Sequence, residues 1–336
     1  MASSTSPPPA VSGGAPPHVV EDCLGILQLL SDGTVQRAVA PLVLPGTSSQ
    51  QTTSSVRWKD VPYDETRGLS LRMYVPPTDA GEKLPVMVYF HGGGFCLGSF
   101  AMPDVHAACL RLAPELPAVV LSVDYRLAPE HRLPAALDDV EAIFSWLRGQ
   151  AAAPDVVLAG SADFGRVFVS GDSAGANIAH HVAVRVGSGV LDAGPVVRIA
   201  GCVLLYPYFG GEQRTASEAA CPADVFLTLD LYDQMWRLAL PPGASRDHPA
   251  ANPFGPESPA LDGVELPPVL VAVGDRDMLL DRIAEYVARL KAAGKLVELV
   301  EFPGQGHGFS VFEPRGEAAG ELVRVVRRFV HSPAPN

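Results

Sequence analysis

A serine, an aspartate and a histidine in the second half of the chain have the residue types and the order needed for nucleophilic catalysis. Ser173 stands in a Gly-x-Ser-x-Gly run, Asp277 follows an apolar stretch, and His307 has a glycine on each side. A serine hydroxyl is a weak nucleophile at neutral pH unless a histidine, oriented by a carboxylate, accepts its proton. The three residues therefore predict acyl transfer through a covalent intermediate on Ser173, with His307 as base and Asp277 as its orienting acid.

Two neighbouring aspartates compete with Asp277 for the acid role. Asp275 and Asp281 lie in the same short run and are equally suited to a turn or to capping a helix. A calcium-binding loop is excluded because the positions that require glycine and glutamate hold Leu280 and Tyr286. Asp277 is the preferred candidate, and Asp275 or Asp281 remains the alternative.

A glycine run earlier in the chain could stabilise the negative charge that develops during acyl transfer. Gly93 and Gly94 follow His91 directly after an apolar strand pattern, and their backbone N–H groups, with that of Ala174, could form an oxyanion hole. The alternative is a flexible glycine-rich turn. A dinucleotide site is excluded because the Gly-x-Gly-x-x-Gly pattern is absent and no helix pattern begins there. Asp172, next to the serine, is interpreted as an anchor of the turn, with tuning of the site as the alternative.

The elements around these residues alternate between strand and helix patterns. Such alternation predicts a mostly parallel central sheet with helices on both faces, and it brings strand ends to one edge. Ser173 would occupy a sharp turn between a strand and a helix, which requires small neighbours. The predicted strands are 56–63, 69–75, 85–90, 119–123, 167–170, 199–205, 269–273 and 296–302, and the predicted helices are 19–30, 135–147, 174–186, 279–293 and 318–330.

The alternation stops between residues 206 and 268, a stretch rich in proline and aromatic residues. An insertion between two strands lies at an end of the sheet, so this cap segment is expected to cover the carboxyl edge. The alternative is a packed structural excursion, because aromatic residues usually serve cores. Candidate substrate-binding residues here and near the catalytic candidates are Phe95, Tyr206, Phe209, Trp236 and Phe309.

Composition limits the classes of partner. A net charge of −12 over 336 residues excludes the basic surface that nucleic acids and anionic membranes require. The five cysteines form no Cys-x-x-Cys pair, so reduced thiols are expected. Neither a secretory signal nor an apolar run of about 18 residues is found. We expect a small-molecule substrate, no metal or cofactor, and a cytoplasmic location compatible with entry to the nucleus.

Several motifs in the same order resemble one enzyme family. The His-Gly-Gly-Gly run, the segment 124–130, Gly-Asp-Ser-Ala-Gly and the Asp277 and His307 segments are similar to the hormone-sensitive-lipase-like branch of the α/β-hydrolases. Residues 20–25 and 31–35 resemble the opening of plant carboxylesterases and of their relative, the gibberellin receptor. Residues 246–248 and 251–256 are most similar to the carboxylesterase fifteen type. The likeness extends from about residue 18 to residue 331.

Residues 1–17 consist almost entirely of Ser, Pro, Gly and Ala, a composition that predicts a disordered tail. The resemblance implies an α/β-hydrolase fold in a single domain over 18–331, with residues 18–45 as a lid and 206–268 as a cap insertion. It also implies a serine carboxylic ester hydrolase acting on small, apolar plant esters or lactones. The carboxylesterase fifteen type is associated with strigolactone hydrolysis. A receptor is one alternative, but the gibberellin receptor lacks the catalytic histidine and has serine for the third glycine, whereas this chain has His307 and Gly94. A dehydratase on the same scaffold, similar to the isoflavanone dehydratases, is the other.

Overall fold

An eight-stranded sheet carries the elements around Ser173. The computed structural model describes residues 16–38, 55–79, 81–222 and 224–332. The elements in chain order are β1 (Val19–Cys23), β2 (Leu27–Leu30), β3 (Val35–Arg37), β4 (Arg57–Asp64), β5 (Leu69–Val75), β6 (Leu84–Phe90), α1 (Pro103–Glu115), β7 (Val119–Val123), α2 (Ala135–Ala152), β8 (Ala162–Asp172), α3 (Ala174–Gly187), β9 (Ile199–Leu205), α4 (Ala216–Ala219), α5 (Leu229–Ala239), β10 (Val269–Gly274), α6 (Leu280–Ala292), β11 (Val297–Phe302), α7 (Phe309–Phe312) and α8 (Glu317–His331).

The large sheet is mostly parallel. Its strand order is β11-β10-β9-β8-β6-β7-β5-β4, and neighbouring strands from β11 to β7 are parallel, whereas β5 runs antiparallel to both β4 and β7. Every residue of β6 and of β10 is buried, as expected for apolar strands that are covered on both faces. The α/β fold expected from the strand and helix alternation is confirmed.

Helices cover both faces of this sheet. Residues of α1 and α8 share one buried cluster with alternate residues of the central strands. On the other face α3 packs against β8 and β9, and α2 packs on α3. Helix α6 lies beside α3, where the Tyr286 hydroxyl is 2.9 Å from Nδ1 of His180. Across the described ranges, no helix combines the length and apolar character needed to span a lipid bilayer.

The parallel register brings four chain segments to one edge of the sheet. Phe90 pairs with Gly171, Asp172 pairs with Leu205, and Gly274 pairs with Phe302. The loops that follow β6, β8, β10 and β11 therefore leave the sheet side by side. These loops carry the glycine run, Ser173, the three aspartates and His307.

Residues 16–38 belong to a compact unit distinct from the one that contains the large sheet. Its described part is an antiparallel sheet of β1, β2 and β3, so the helix predicted over 19–30 is wrong. Leu24 and Gly25 have φ angles of 58° and 67°, the two positive values of a tight turn that suits a β-hairpin. Asp22 supports the turn by accepting the Gly25 N–H at 2.7 Å. Most of the predicted tail at 1–17 lies outside the described residues.

Most other predicted elements are confirmed, with shifted ends. Helix α2 continues to Ala152, and β8 begins at Ala162, five residues before the predicted start. Helix α1 was not predicted, because its buried residues, Cys109 and Ala113, are small and give a weak apolar stripe. Helix α5, inside the cap segment, was also not predicted.

Two neighbouring histidines on α3, the buried His180 and the half-buried His181, are expected to make the protein sensitive to acid. Burial lowers the pKa of His180 well below its usual value and that of His181 to about 4. Below pH 6.5 the unfolded chain therefore binds protons that the folded chain does not, and stability falls as the pH falls. At about 1.4 kcal/mol per pH unit, His181 alone removes about 2 kcal/mol between pH 6.5 and pH 5.

Urea unfolding of His181→Gln at pH 7 and pH 5 would check this expectation. Between pH 7 and pH 5, the free energy of unfolding of the variant should fall by about 2 kcal/mol less than that of the wild type. His131→Gln, at an exposed position, is the matched control, and its free energy of unfolding should fall by as much as that of the wild type. Identical pH dependence in all three proteins would contradict the expectation.

Candidate active site

Ser173 occupies a sharp turn between β8 and α3. Its φ and ψ are 53° and −116°, a strained conformation for a residue with a side chain. A Cβ atom on Gly175 would lie 1.9 Å from the carbonyl oxygen of Phe90, and one on Gly171 would lie 2.3 Å from the carbonyl carbon of Gly175. The turn therefore requires both glycines. The Ser173 N–H donates to the carbonyl of Leu205 at 2.9 Å, which fixes the turn to β9.

The structure brings Ser173, His307 and Asp277 into one hydrogen-bonded chain. Nε2 of His307 is 2.9 Å from Oγ of Ser173, and Nδ1 of His307 is 2.8 Å from Oδ2 of Asp277. The other carboxylate oxygen of Asp277 accepts the N–H of Leu279 at 2.9 Å. The Asp277 side chain is fully buried and that of His307 is 8% exposed. This arrangement can move a proton from the serine hydroxyl to the imidazole while the carboxylate holds the ring.

The two competing aspartates lie elsewhere. Oδ1 of Asp275 accepts the N–H of Gly304 at 2.7 Å, which supports the loop before His307. Oδ2 of Asp281 accepts the N–H of Ser217 in the cap segment at 2.7 Å. Of the three aspartates, only Asp277 is placed against the histidine ring.

The glycine loop presents backbone donors beside the turn. Gly93 and Gly94 have φ angles of 116° and 60°. Cβ atoms there would lie 2.2 Å from the carbonyl oxygen of Leu97 and 2.1 Å from the sulfur of Met235. Within the described ranges, the N–H groups of Gly93, Gly94 and Ala174 donate to no other protein group. Free donors of this kind can stabilise an oxyanion, each by about 2.7 to 4 kcal/mol in the transition state.

Asp172 joins the serine turn to the glycine loop. Its Oδ1 accepts the hydroxyl of Tyr89 at 2.5 Å and the N–H of Gly92 at 2.9 Å. A Cβ atom on Gly92 would lie 2.3 Å from Oδ2 of Asp172, so a larger residue would displace the carboxylate. Burial raises the pKa of Asp172, although the hydrogen bonds and nearby histidines oppose the shift. These contacts are those of an anchor. Tyr89 was not singled out in the sequence.

Tyr206, one of the five predicted pocket residues, packs against the histidine, and a second, Phe309, packs against Tyr206. The Tyr206 ring is 5.2 Å from the His307 ring, and its hydroxyl is 2.8 Å from Oγ of Ser310. The Phe309 ring is 5.7 Å from that of Tyr206. Phe309 therefore packs on Tyr206, which packs on the imidazole, and both aromatic side chains are buried.

The other three predicted pocket residues are packed inside the protein. Phe95 lies 5.7 Å from Trp236, which stacks on Tyr208 at 4.6 Å. Phe209 lies 4.7 Å from Tyr286 and borders a cavity of about 420 Å³ that none of the three catalytic candidates lines. Whether these residues contact a substrate remains a prediction.

Helix α5 covers the glycine loop, and neither this helix nor this contact was predicted from the sequence. Met235 is 3% exposed and lies against Gly94, and its carbonyl accepts the thiol of Cys96 at 3.7 Å. The sequence feature that could have predicted this helix is the helical spacing of three apolar residues, Leu231, Met235 and Leu238, which are all buried in the structure. Within the described ranges, no three His, Cys, Asp or Glu side chains are placed to hold a metal ion.

Comparison with known families agrees with this fold and site. A family model described as the alpha/beta hydrolase fold matches residues 87–311, and one described as the carboxylesterase family matches residues 39–130. The chain belongs to the α/β hydrolase family. Within that family it is a carboxylesterase, an enzyme that cleaves ester bonds.

Plant proteins are among the relatives. The chain is 34% identical to chloroplastic tuliposide A-converting enzyme 1 of Tulipa gesneriana, over 98% of this chain and 83% of the relative. It is 37% identical to probable carboxylesterase 6 of Arabidopsis thaliana, over 87% and 85%. It is also 37% identical to the gibberellin receptor GID1B of the same plant, over 80% and 76%. The resemblance to plant carboxylesterases and to the gibberellin receptor is confirmed.

A solved structure with a similar fold is the hyperthermophilic esterase of the archaeon Pyrobaculum calidifontis. Its identity to this chain is 34%, with a TM-score of 0.69, over 82% of this chain and 85% of that chain. The fold is therefore shared well beyond plants.

Proposed function

We propose that the protein hydrolyses small, apolar plant esters or lactones with Ser173 as nucleophile, His307 as general base and Asp277 as the acid that orients it. The observation that carries this proposal is the continuous hydrogen-bonded chain from Oγ of Ser173 through the imidazole to the buried carboxylate. Such a chain activates a serine that would otherwise react slowly.

The proposed reaction has two halves. His307 takes the proton of Ser173 as its Oγ attacks the ester carbonyl, and the N–H groups of Gly93, Gly94 and Ala174 bind the resulting oxyanion. The intermediate then expels the alcohol, which receives the proton from His307, and leaves an acyl group on the serine. Water, deprotonated by the same histidine, attacks the acyl-enzyme and releases the acid.

The substrate class is proposed from the resemblance and from the aromatic packing at the site. The Tyr206 ring, itself buried, lies 5.2 Å from the His307 ring, so the side of the imidazole that it covers is apolar. The likeness of residues 246–248 and 251–256 to the carboxylesterase fifteen type supports strigolactones as the specific lactones. Residues 18–45 are proposed as a lid on the same basis, although 39–45 lie outside the described ranges. The cytoplasmic location is likewise a proposal, since the tulip relative is named as chloroplastic.

A hormone receptor is the second candidate, because one relative is a gibberellin receptor. A receptor that binds its ligand without turnover needs no complete catalytic chain. The hydrogen bonds of His307 favour the esterase over this alternative.

A panel of nitrophenyl esters and plant butenolide lactones, followed by mass spectrometry of the enzyme trapped during turnover, tests the proposal. We expect hydrolysis of at least one member and an acyl adduct on Ser173. An adduct on another residue would overturn the assignment of the nucleophile. Binding without turnover would favour the receptor, and water elimination with negligible ester cleavage would favour a dehydratase.

A further inference from the structure

The short helix α4 of the cap segment is hydrogen-bonded to the loop that carries Asp277. The N–H of Ser217 donates to Oδ2 of Asp281 at 2.7 Å, and the N–H of Asp281 donates to Oγ of Ser217 at 3.2 Å. Oγ of Ser217 donates to the carbonyl of Met278 at 2.8 Å. One serine, more than 60 residues away in sequence, thus holds the backbone on the carboxyl side of Asp277 at two points.

The next residue along α4 adds a buried ion pair. Glu218 is fully buried, and its Oε2 accepts Nη2 of Arg282 at 2.9 Å. Nη2 of Arg282 also donates to the carbonyls of Gly211 at 3.1 Å and Gln213 at 2.8 Å. A buried charge that loses its partner is costly, so this pair keeps α4 attached to α6. Consecutive residues of α4 therefore contact consecutive residues at the start of α6.

Helix α4 is itself held in shape by a capping box. Oγ1 of Thr215 accepts the N–H of Glu218 at 3.2 Å, and Oε2 of Glu218 accepts the N–H of Thr215 at 3.3 Å. Ser217 lies between these two residues. The capping box therefore fixes the backbone that positions the N–H and the hydroxyl of Ser217.

The Asp277 carboxylate has little other support. Besides His307, its side-chain hydrogen bond is to the N–H of Leu279, two residues further along the same loop. The direction of the carboxylate therefore depends on the backbone conformation of residues 277–281, and Ser217 holds that backbone. A displacement of about 1 Å at a catalytic group can lower a rate about 100-fold.

We infer that Ser217 and Asp281 are positioning residues, which fix the loop at 277–281 so that Asp277 faces His307. This inference rests on the proposed function, in which Asp277 acts through His307. It assigns the cap segment a part in the chemistry as well as in covering the site.

A double-mutant cycle tests this inference. Ser217→Ala is expected to lower kcat for nitrophenyl acetate about 10- to 100-fold with KM changed less than twofold, because the loop loses two of its hydrogen bonds. Ser217→Thr, which keeps a hydroxyl, should restore most of the rate. In an Asp277→Asn background, Ser217→Ala should have no further effect, since it acts only through that carboxylate. Asp281→Ala removes the third hydrogen bond, in which the Asp281 carboxylate accepts the Ser217 N–H, and leaves the other two in place, so it should lower kcat by less than Ser217→Ala does.

The matched control is Ser258→Ala. Ser258 lies in the same cap segment and donates its hydroxyl to the carbonyl of Asn252 at 2.6 Å, away from the Asp277 loop. This variant should keep the wild-type kcat, and thermal melts of every variant report whether it is folded. Equal losses from Ser217→Ala in both backgrounds, or no loss in folded Ser217→Ala and Asp281→Ala, would overturn the inference. An Asp277→Asn enzyme with wild-type activity would overturn the proposed function instead, and the positioning role with it.

Discussion

Alanine at position 173 is expected to reduce kcat for nitrophenyl acetate by about 10⁶-fold. The substitution removes the oxygen that attacks the ester, whereas the backbone donors of the glycine loop remain and leave some catalysis over water. The variant should fold, because the N–H that ties residue 173 to Leu205 is retained. Initial rates at saturating substrate, with stopped-flow rates for the wild type, measure the difference.

The control for this variant is Ser188→Ala. Ser188 lies at the other end of α3, and its hydroxyl donates to the carbonyl of Val184 at 2.8 Å. It should retain the wild-type rate with a small loss of stability. Ester hydrolysis by purified Ser173→Ala within tenfold of the wild type would remove Ser173 from the mechanism.

The Asp277→Asn substitution is expected to lower kcat by about 10⁴-fold. An asparagine amide at this position can donate to Nδ1 of His307, and this holds the imidazole in the tautomer that cannot accept the serine proton at Nε2. Loss of the carboxylate charge also removes the stabilisation of the protonated ring. Measurement of kcat and KM separately should show the loss in kcat, because the acid does not touch the substrate.

Asp275→Asn is the informative comparison, since Asp275 is a competing aspartate in the same loop. Oδ1 of Asp275 accepts the N–H of Gly304, and an asparagine oxygen can still accept that bond. We expect less than a tenfold change. If Asp275→Asn lowered kcat as much as Asp277→Asn does, the carboxylate of Asp277 would not be the specific partner of His307 in the reaction.

The core of the fold could be predicted from the sequence because buried parallel strands are continuous apolar runs. Strands β6 and β10 have this pattern over their whole length, and each is followed by a chemically distinctive loop. Since parallel strands end at the same edge, Ser173 and His307 could be expected to meet although 134 residues separate them. The order of the serine, acid and histidine followed from the motifs alone.

Other features depend on contacts that no local pattern records. The apolar run at 19–30 suggested a helix, but the positive φ angles of Leu24 and Gly25 turn it into a hairpin. The sequence could not decide which of the three aspartates faces the histidine, because two of them are placed by distant partners. Asp275 accepts the N–H of Gly304, and Asp281 accepts the N–H of Ser217. The packing of the Phe209 ring against Tyr286 is likewise a contact between distant residues that no local pattern shows.

The contact between Met235 and Gly94 limits how this enzyme can be re-engineered. Gly94 leaves room for the Met235 sulfur, so helix α5 and the glycine loop, which is proposed to supply the oxyanion donors, are fitted to each other at this point. A cap transplanted from another esterase would bring its own α5 and would need a side chain of matching volume at that position. Directed evolution of substrate range should therefore begin on the parts of the cap segment that face away from Gly94, and leave Met235 unchanged.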